Sequence, residues 1–212
     1  MVNETELRQD MADLCASLFQ RGFSVGTAGN VSARIGDDIL MTPTNSSLGG
    51  IDPDRIAKLD RHGNHLSGDK PTKESFLHLA FYETRPQCGA VVHLHSTYAT
   101  ALSCLEDTDP QDCIPPLTPY VVMRVGTVRM VPYVMPGDAK AGDLIRGLKG
   151  ACSAVLLANH GPVVSGKDLF SAVCAAEELE ETAKLLMLTR GLKRRHLGPD
   201  DVDVLRRKFA GL

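Results

Sequence analysis

Apolar residues recur at helical spacing near the start of the chain. Leu7, Met11, Leu14 and Leu18 would share one face of a helix, because 3.6 residues complete each turn. The pattern therefore predicts an amphipathic helix that ends near Gly22.

Short apolar runs bounded by turn residues predict strands along the rest of the chain. They are Val31–Arg34, Ile39–Met41, Ile56–Leu59, Ala90–Thr97, Val121–Val125, Val128–Pro132, Ala154–Ala158 and Val163–Val164. Longer amphipathic stretches predict helices. These open at Pro71, Thr97, Gly137, Asp168 and Pro199.

Size and composition are typical of a globular protein. The chain has 212 residues, of which 43% are hydrophobic and 23% are charged. This length suits one domain, so a single domain over residues 1–212 is expected. The net charge of −3 gives no indication of a nucleic acid or an anionic membrane as a partner.

Several features of the sequence predict a cytoplasmic protein. The start is polar and acidic, which is unlike a secretory signal, and no apolar run has the length of a membrane span. The six cysteines include no Cys-x-x-Cys pair. Scattered cysteines of this kind favour reduced thiols in a cytoplasmic protein over a disulfide framework.

Two histidines lie in the predicted strand Ala90–Thr97. Side chains alternate between the faces of a strand, so His93 and His95 share a face while Val92 and Leu94 point to the other. Two neighbouring imidazoles can present neutral nitrogens to a divalent metal. The alternative is an ordinary strand with one buried and one exposed histidine.

Two further residues complete a candidate ligand set. His160 follows a buried strand, between Asn159 and Gly161, which predicts a position at the rim of the sheet. Glu74 is predicted in the first turn of a helix, where a carboxylate can ligate, exchange protons, or simply favour the helix dipole. Catalytic zinc usually has three protein ligands and an open position. His78 shares the helix face of Glu74 and is interpreted as a packing residue.

Two polar segments are candidates for holding an anion. The turn containing Gly29 and Asn30 can bring backbone N–H groups close to a ligand, and the loop at Thr44 and Asn45 is dense in hydroxyl and amide groups. The alternative is that both are ordinary connecting loops. A third candidate is Tyr120, which follows a proline-rich loop whose fixed path would position the side chain.

Several of these segments together resemble the class II aldolase/adducin family. They are Gly29-Asn30, Met41-Thr42-Pro43-Thr44, Pro71 to Glu74, His93-Leu94-His95-Ser96 and Asn159-His160-Gly161, in that order and at similar spacing. The resemblance implies an α/β/α layered fold with a central, mostly antiparallel sheet covered by helices on both faces. It also implies a homotetramer with sites near subunit boundaries.

The same resemblance implies roles for the candidate residues. His93, His95 and His160 would bind one zinc ion per subunit, with another divalent metal as the alternative, and Glu74 would approach the metal and handle protons. The Gly29-Asn30 turn and the loop at Thr44 and Asn45 would hold the substrate phosphate. A cupin, which also carries His-x-His, expects a glutamate soon after the second histidine, and this chain has none before Glu106.

The details are most similar to the branch of the family that decarboxylates 3-oxo-tetronate 4-phosphate, releasing dihydroxyacetone phosphate and carbon dioxide. Thr72 and Lys73 stand where the aldolase branch has two serines, and a cation there suits a phosphorylated sugar acid. Tyr120 is the candidate proton donor, with Glu74 as the other. The alternatives are a sugar-phosphate aldolase or epimerase and a non-catalytic, adducin-like interaction domain. The intact metal-ligand set disfavours the interaction domain.

Overall fold

The computed structural model describes residues 3–209 and contains one eight-stranded sheet. Its strands are β1 (Asn30–Ile35), β2 (Asp38–Met41), β3 (Ala57–Leu59), β4 (His65–Ser67), β5 (Ala90–His93), β6 (Val128–Val131), β7 (Ala154–Leu157) and β8 (Gly161–Gly166). Their spatial order is β4-β3-β2-β1-β5-β8-β7-β6. Neighbours are antiparallel except for the parallel pair β6 and β7. The sheet is therefore mostly antiparallel, as predicted.

Helices cover both faces of this sheet. They are α1 (Glu4–Gln20), α2 (Ser75–Thr84), α3 (Thr97–Ser103), α4 (Pro119–Arg124), α5 (Lys140–Gly147), α6 (Leu169–Leu188) and α7 (Pro199–Lys208). The buried residues of α2 and α5 join one apolar cluster, and those of the other five helices join a second cluster on the opposite face. The predicted α/β/α layering is confirmed.

The ends of the two longest helices follow from their sequence. The Asn3 side chain accepts a hydrogen bond from the Thr5 N–H at the start of α1, and Asp168 accepts one from the Ser171 N–H at the start of α6. Each side chain satisfies one of the N–H groups that a helix start leaves without a partner. The predicted boundaries of α1 and α6 agree with the structure to within a few residues.

The predicted strand Val121–Val125 is wrong, because this segment forms helix α4. The hydroxyl oxygen of Thr118 accepts a hydrogen bond from the Val121 N–H, and Pro119 occupies the first turn. Proline at that position already has a helical φ and needs no N–H partner. The cap and the packing of Val121 and Val122 in the core outweigh the weak strand preference of valine.

Two other boundaries differ in ways that matter for the site. Helix α2 begins at Ser75, later than predicted, so Glu74 precedes the helix and its side chain makes no capping hydrogen bond. Strand β5 ends at His93, which leaves His95 just beyond it.

The edge strand β4 was not predicted, because its residues are all exposed and lack the alternation that identifies a half-buried strand.

None of the helices within residues 3–209 combines the length and apolar character needed to cross a membrane.

Candidate metal centre

The predicted histidines lie at the same end of neighbouring strands in the centre of the sheet. In the antiparallel pairing, His93 at the end of β5 lies opposite Asn30 on β1 and Val163 on β8. His160 lies in the turn that joins β7 to β8, and His95 follows β5 directly. The register of these strands therefore brings three histidines together at one end of the central strands.

The four predicted ligands converge. One ligand atom from each of Glu74, His93, His95 and His160 lies within 4.8 Å of all the others. The Nε2 atom of His95 is 3.2 Å from that of His93 and 3.0 Å from that of His160. The two carboxylate oxygens of Glu74 each lie 3.5 Å from a histidine Nε2, one at His93 and the other at His160.

These separations fit a metal ion. Ligands about 2.05 Å from a tetrahedral zinc ion would be roughly 3.3 Å from one another. Three neutral imidazoles and one carboxylate are also a donor set that a divalent metal accepts. The cluster is therefore a candidate site for a divalent metal.

The environment of His93 supports this assignment. Its Nδ1 donates a hydrogen bond to the carbonyl oxygen of Pro162 at 2.8 Å, because a carbonyl can only accept. In the neutral ring, Nε2 must then carry the lone pair that faces the cluster. Metal-binding histidines commonly have such a backbone partner, which fixes their tautomer and orientation.

Burial favours the protonation states that metal binding requires. The pKa of the fully buried His93 is lowered by desolvation to about 4, although nearby Glu74 opposes the shift. Desolvation also lowers the pKa of His95. For Glu74, burial opposes ionisation, but the field of His93 and the hydrogen bond from Asn30 together hold its pKa below the usual range. Near neutral pH, His93 and His95 are therefore neutral and Glu74 is a carboxylate.

Asn30 supports Glu74 through a hydrogen bond. Its Nδ2 donates to Oε2 of Glu74 at 2.9 Å, and its Oδ1 lies 2.5 Å from Nε2 of His78. The side chain predicted to hold phosphate is therefore engaged with a candidate ligand, with one N–H left over. His78 is fully buried, as a packing residue would be, and its contact with Asn30 was not predicted from the sequence.

The conformation at Gly29 explains why glycine precedes Asn30. Its φ is +80°, in the left-handed region, and a Cβ atom there would lie 2.9 Å from the carbonyl oxygen of His93. A larger residue would be strained and would press on the strand that carries the histidine. The glycine lets β1 start beside the cluster.

The other predicted anion-binding residues lie on two loops that meet. Pro43 and Pro71 form an isolated bridge, and the Thr44 N–H donates to the carbonyl oxygen of Lys70 at 2.9 Å. Thr72 is joined to the same end of the sheet, because its N–H donates to the carbonyl oxygen of Thr42 at 3.2 Å. These contacts join the loop that carries Thr44 and Asn45 to the segment with Thr72 and Lys73, which leads directly to Glu74.

Glu180 is a supporting residue that the sequence did not reveal. It is buried on α6, and its two oxygens accept hydrogen bonds from the N–H groups of Tyr98 and Ala99, both at 2.8 Å. These groups belong to the first turn of α3, which begins two residues after His95. A buried glutamate in a long helix gives no sequence signal of this contact.

Tyr120 does not lie with the cluster in this chain. It is 57% exposed on α4, which packs on α6 and α7 over one face of the sheet. Glu74 enters the cluster from the other face, where α2 and α5 pack. The residues that line the cleft beside Glu74 and His160 instead include Pro132 and residues 134–138, which were not predicted to contribute.

Three histidines and a carboxylate lie at the end of the central strands of this layered sheet. This set of metal donors indicates a metal-dependent enzyme, because a non-catalytic scaffold needs no such set. Comparison with known proteins agrees.

The chain belongs to the class II aldolase and adducin family. The family model described as "Class II Aldolase and Adducin N-terminal domain" matches residues 9–187. The predicted resemblance is therefore confirmed.

Individual relatives identify enzymes within the family. The chain is 53% identical over 201 residues to a 3-oxo-tetronate 4-phosphate decarboxylase of Pectobacterium atrosepticum, covering 94% of this chain and 92% of that protein. It is 35% identical over 213 residues to an L-fuculose phosphate aldolase of Haemophilus influenzae, covering 98% and 95%.

A solved structure is similar over the whole fold. The crystal structure of YgbL from Klebsiella pneumoniae, described as an aldolase, epimerase or decarboxylase, has a TM-score of 0.95 and 47% sequence identity. The match covers 97% of this chain and 100% of that one.

Proposed function

We propose that this protein is a zinc-dependent decarboxylase that converts 3-oxo-tetronate 4-phosphate to dihydroxyacetone phosphate and carbon dioxide. The donor cluster fits a decarboxylase and an aldolase equally well. The observation that carries the proposal is the 53% identity to a relative with the decarboxylase name, against 35% to one named as an aldolase. The six cysteines are free thiols, which supports a cytoplasmic location.

His93, His95 and His160 would hold the zinc, with Glu74 as a further ligand in the absence of substrate. A divalent ion there supplies positive charge that stabilises the negative charge left on substrate oxygen when carbon dioxide departs. The chain's own residues set the position of the reacting groups and move the protons.

Proton transfer would use Glu74 and Tyr120. Loss of carbon dioxide leaves an electron pair on the neighbouring carbon, and one proton must be added there to form the hydroxymethyl group of dihydroxyacetone phosphate. Because its pKa is lowered, Glu74 is ionised near pH 7. It would accept the proton of the substrate hydroxyl beside the breaking bond and return it to the same oxygen before the product leaves. Tyr120 would donate the proton to carbon.

The phosphate and carboxylate of the substrate would bind at the two adjoining loops. Asn30 has one side-chain N–H beyond the one that binds Glu74, and Gly29 would add its backbone N–H. Thr44, Asn45 and Thr72 would add hydroxyl and amide groups from the two loops that meet at Pro43 and Pro71. Lys73 is exposed next to Glu74 and adds a positive charge. A cation there favours a substrate that carries a carboxylate and a phosphate over a sugar phosphate without the carboxylate.

The reaction products test this function directly. In heavy water, early product formed from the keto acid phosphate should be dihydroxyacetone phosphate with one deuterium on its new hydroxymethyl carbon, because the donor exchanges its proton with solvent. Enzymatic assay measures the product and NMR locates the deuterium. Release of dihydroxyacetone phosphate from fuculose phosphate, with none from keto acid phosphates, would establish the aldolase alternative.

Tyr120 can serve this chemistry only from a neighbouring subunit. It lies on the face of the sheet opposite to Glu74, and its side chain is exposed. We therefore extend the proposal to a homotetramer in which α4 of one subunit brings Tyr120 to the cluster of the next.

Subunit mixing tests this arrangement. Tyr120→Phe and Glu74→Gln should each lower turnover by about 10²–10⁴-fold, the usual effect of losing a general acid or base. When the two variants are mixed under conditions of subunit exchange, about a quarter of the sites in a head-to-tail ring should regain both groups. Turnover should therefore recover far above either variant alone. Mass spectrometry that shows mixed tetramers without recovered turnover would contradict a donor in trans.

A further inference from the structure

A chain of hydrogen bonds leads from Glu74 into the protein interior. Asn30 contacts Glu74 at 2.9 Å and His78 at 2.5 Å. Nδ1 of His78 then lies 2.7 Å from the hydroxyl of Ser32, which lies 2.8 Å from the hydroxyl of Tyr82. Asn30, Ser32, His78 and Tyr82 are all buried, so bulk water does not compete for these contacts.

The direction of each hydrogen bond near Glu74 follows from donor and acceptor chemistry. An ionised carboxylate can only accept, so the NH₂ group of Asn30 must face Glu74 and its carbonyl oxygen must face His78. That oxygen also can only accept. Nε2 of His78 must therefore carry the hydrogen.

The same reasoning continues to the end of the chain. A neutral histidine with a hydrogen on Nε2 has a lone pair on Nδ1, so the hydroxyl of Ser32 donates to Nδ1. The Ser32 oxygen then accepts from the hydroxyl of Tyr82. Burial lowers the pKa of His78 to about 3 and raises that of Tyr82, so the two groups remain neutral near pH 7.

We propose that His78 is a positioning residue that fixes the orientation of the Asn30 amide and, through it, the position of the Glu74 carboxylate. The proposal rests on the proposed role of Glu74. Without the Nε2 hydrogen, the carbonyl oxygen of Asn30 would face a lone pair on His78 whenever its NH₂ group faces Glu74. Two acceptors would then face each other in a buried site, which is unfavourable.

The position of Glu74 matters because its carboxylate lies between two ligands. Each of its oxygens is 3.5 Å from a different histidine, one at His93 and one at His160. The hydrogen bond from Asn30 reaches Oε2, the oxygen nearer to His93. Glu74 precedes α2 and makes no capping hydrogen bond. Within residues 3–209, the hydrogen bond from Asn30 is therefore the one that orients its carboxylate.

Packing alone would not require one tautomer of His78. NMR of ¹⁵N-histidine-labelled wild-type protein therefore tests the proposal without substrate and without a variant that must fold. We expect His78 to show a hydrogen on Nε2 only, with an unchanged tautomer from pH 6 to pH 8, in both metal-free and zinc-loaded protein. A hydrogen on Nδ1, or a mixture of tautomers, would overturn the proposal.

Two substitutions at this position then separate positioning from packing. His78→Gln retains an N–H near the place of Nε2, whereas His78→Leu fills the space without a donor. We expect His78→Leu to lower kcat by about 10–100-fold with a smaller change in KM, the usual effect of losing an outer-shell partner, and His78→Gln to restore most of kcat. His65→Gln, at an exposed histidine on the edge strand, serves as the control.

The outcomes are distinct. Equal kcat values for His78→Leu, His78→Gln and wild type would overturn the positioning role. If the keto acid phosphate is not decarboxylated, the proposed function fails, but the tautomer measurement and the same variant comparison with the true substrate still test His78. Melting temperatures show whether a loss of kcat reflects unfolding.

Discussion

Glu74→Gln should leave zinc bound while lowering turnover by about 10²–10⁴-fold, because an amide keeps the shape of the carboxylate but cannot accept a proton. The structure adds a second reason. Glutamine has one oxygen, whereas Glu74 uses one oxygen beside His160 and the other to accept from Asn30. The glutamine side chain has a single acceptor atom, so it can make only one of these two contacts.

Metal content and steady-state kinetics measured on the same preparation test this result. Glu83→Gln is a matched control, since Glu83 lies on α2 but is exposed and pairs with Arg146. Near-normal turnover of Glu74→Gln would mean that this carboxylate takes no part in the chemistry. Complete loss of zinc would instead assign it an essential role as a ligand.

Alanine at any one of the three histidines should remove metal and activity together. His93→Ala, His95→Ala and His160→Ala each remove one histidine ligand, so only two protein ligands remain when Glu74 is engaged with substrate, and catalytic zinc sites usually have three. We expect zinc occupancy below about a tenth of that of wild type. Turnover should fall by about 10³-fold or more, since a metal contributes several kcal/mol of charge stabilisation and each 1.36 kcal/mol is tenfold in rate.

Elemental analysis and circular dichroism separate loss of metal from loss of fold. His95 and His160 are partly exposed, so their variants should fold normally, whereas His93 is fully buried and its variant should also melt at a lower temperature. His62→Ala, at an exposed histidine in a turn, should change neither property. Full zinc occupancy in all three cluster variants would show that the ligands lie elsewhere.

Errors in the predicted elements have identifiable physical causes. The run Val121–Val125 has the composition of a strand, but Thr118 and Pro119 start a helix whose apolar side packs on α6. Strand β4 has a purely exposed pattern, so only its pairing with β3 defines it. In both cases contacts distant in sequence decided between conformations of similar local preference.

The sequence by itself determined most of the elements and the chemical types in the site. Helical spacing and apolar runs depend on which residues are apolar, and the amino-acid sequence alone sets that pattern. The His-x-His pattern likewise placed His93 and His95 on one side of the chain before any fold was known, and recurring motifs identified Glu74 and His160 as their partners by resemblance.

Only the tertiary structure decided which groups touch. His95 and His160 are 65 residues apart, and they meet because β8 pairs with β5 in one register. Register likewise sets Asn30 opposite His93. Asn30 was predicted to bind phosphate, but its side chain contacts Glu74 and His78. The layering of the sheet separates Tyr120 from the cluster of its own chain. Such contacts depend on how distant segments bury their surfaces together, and no local pattern specifies that.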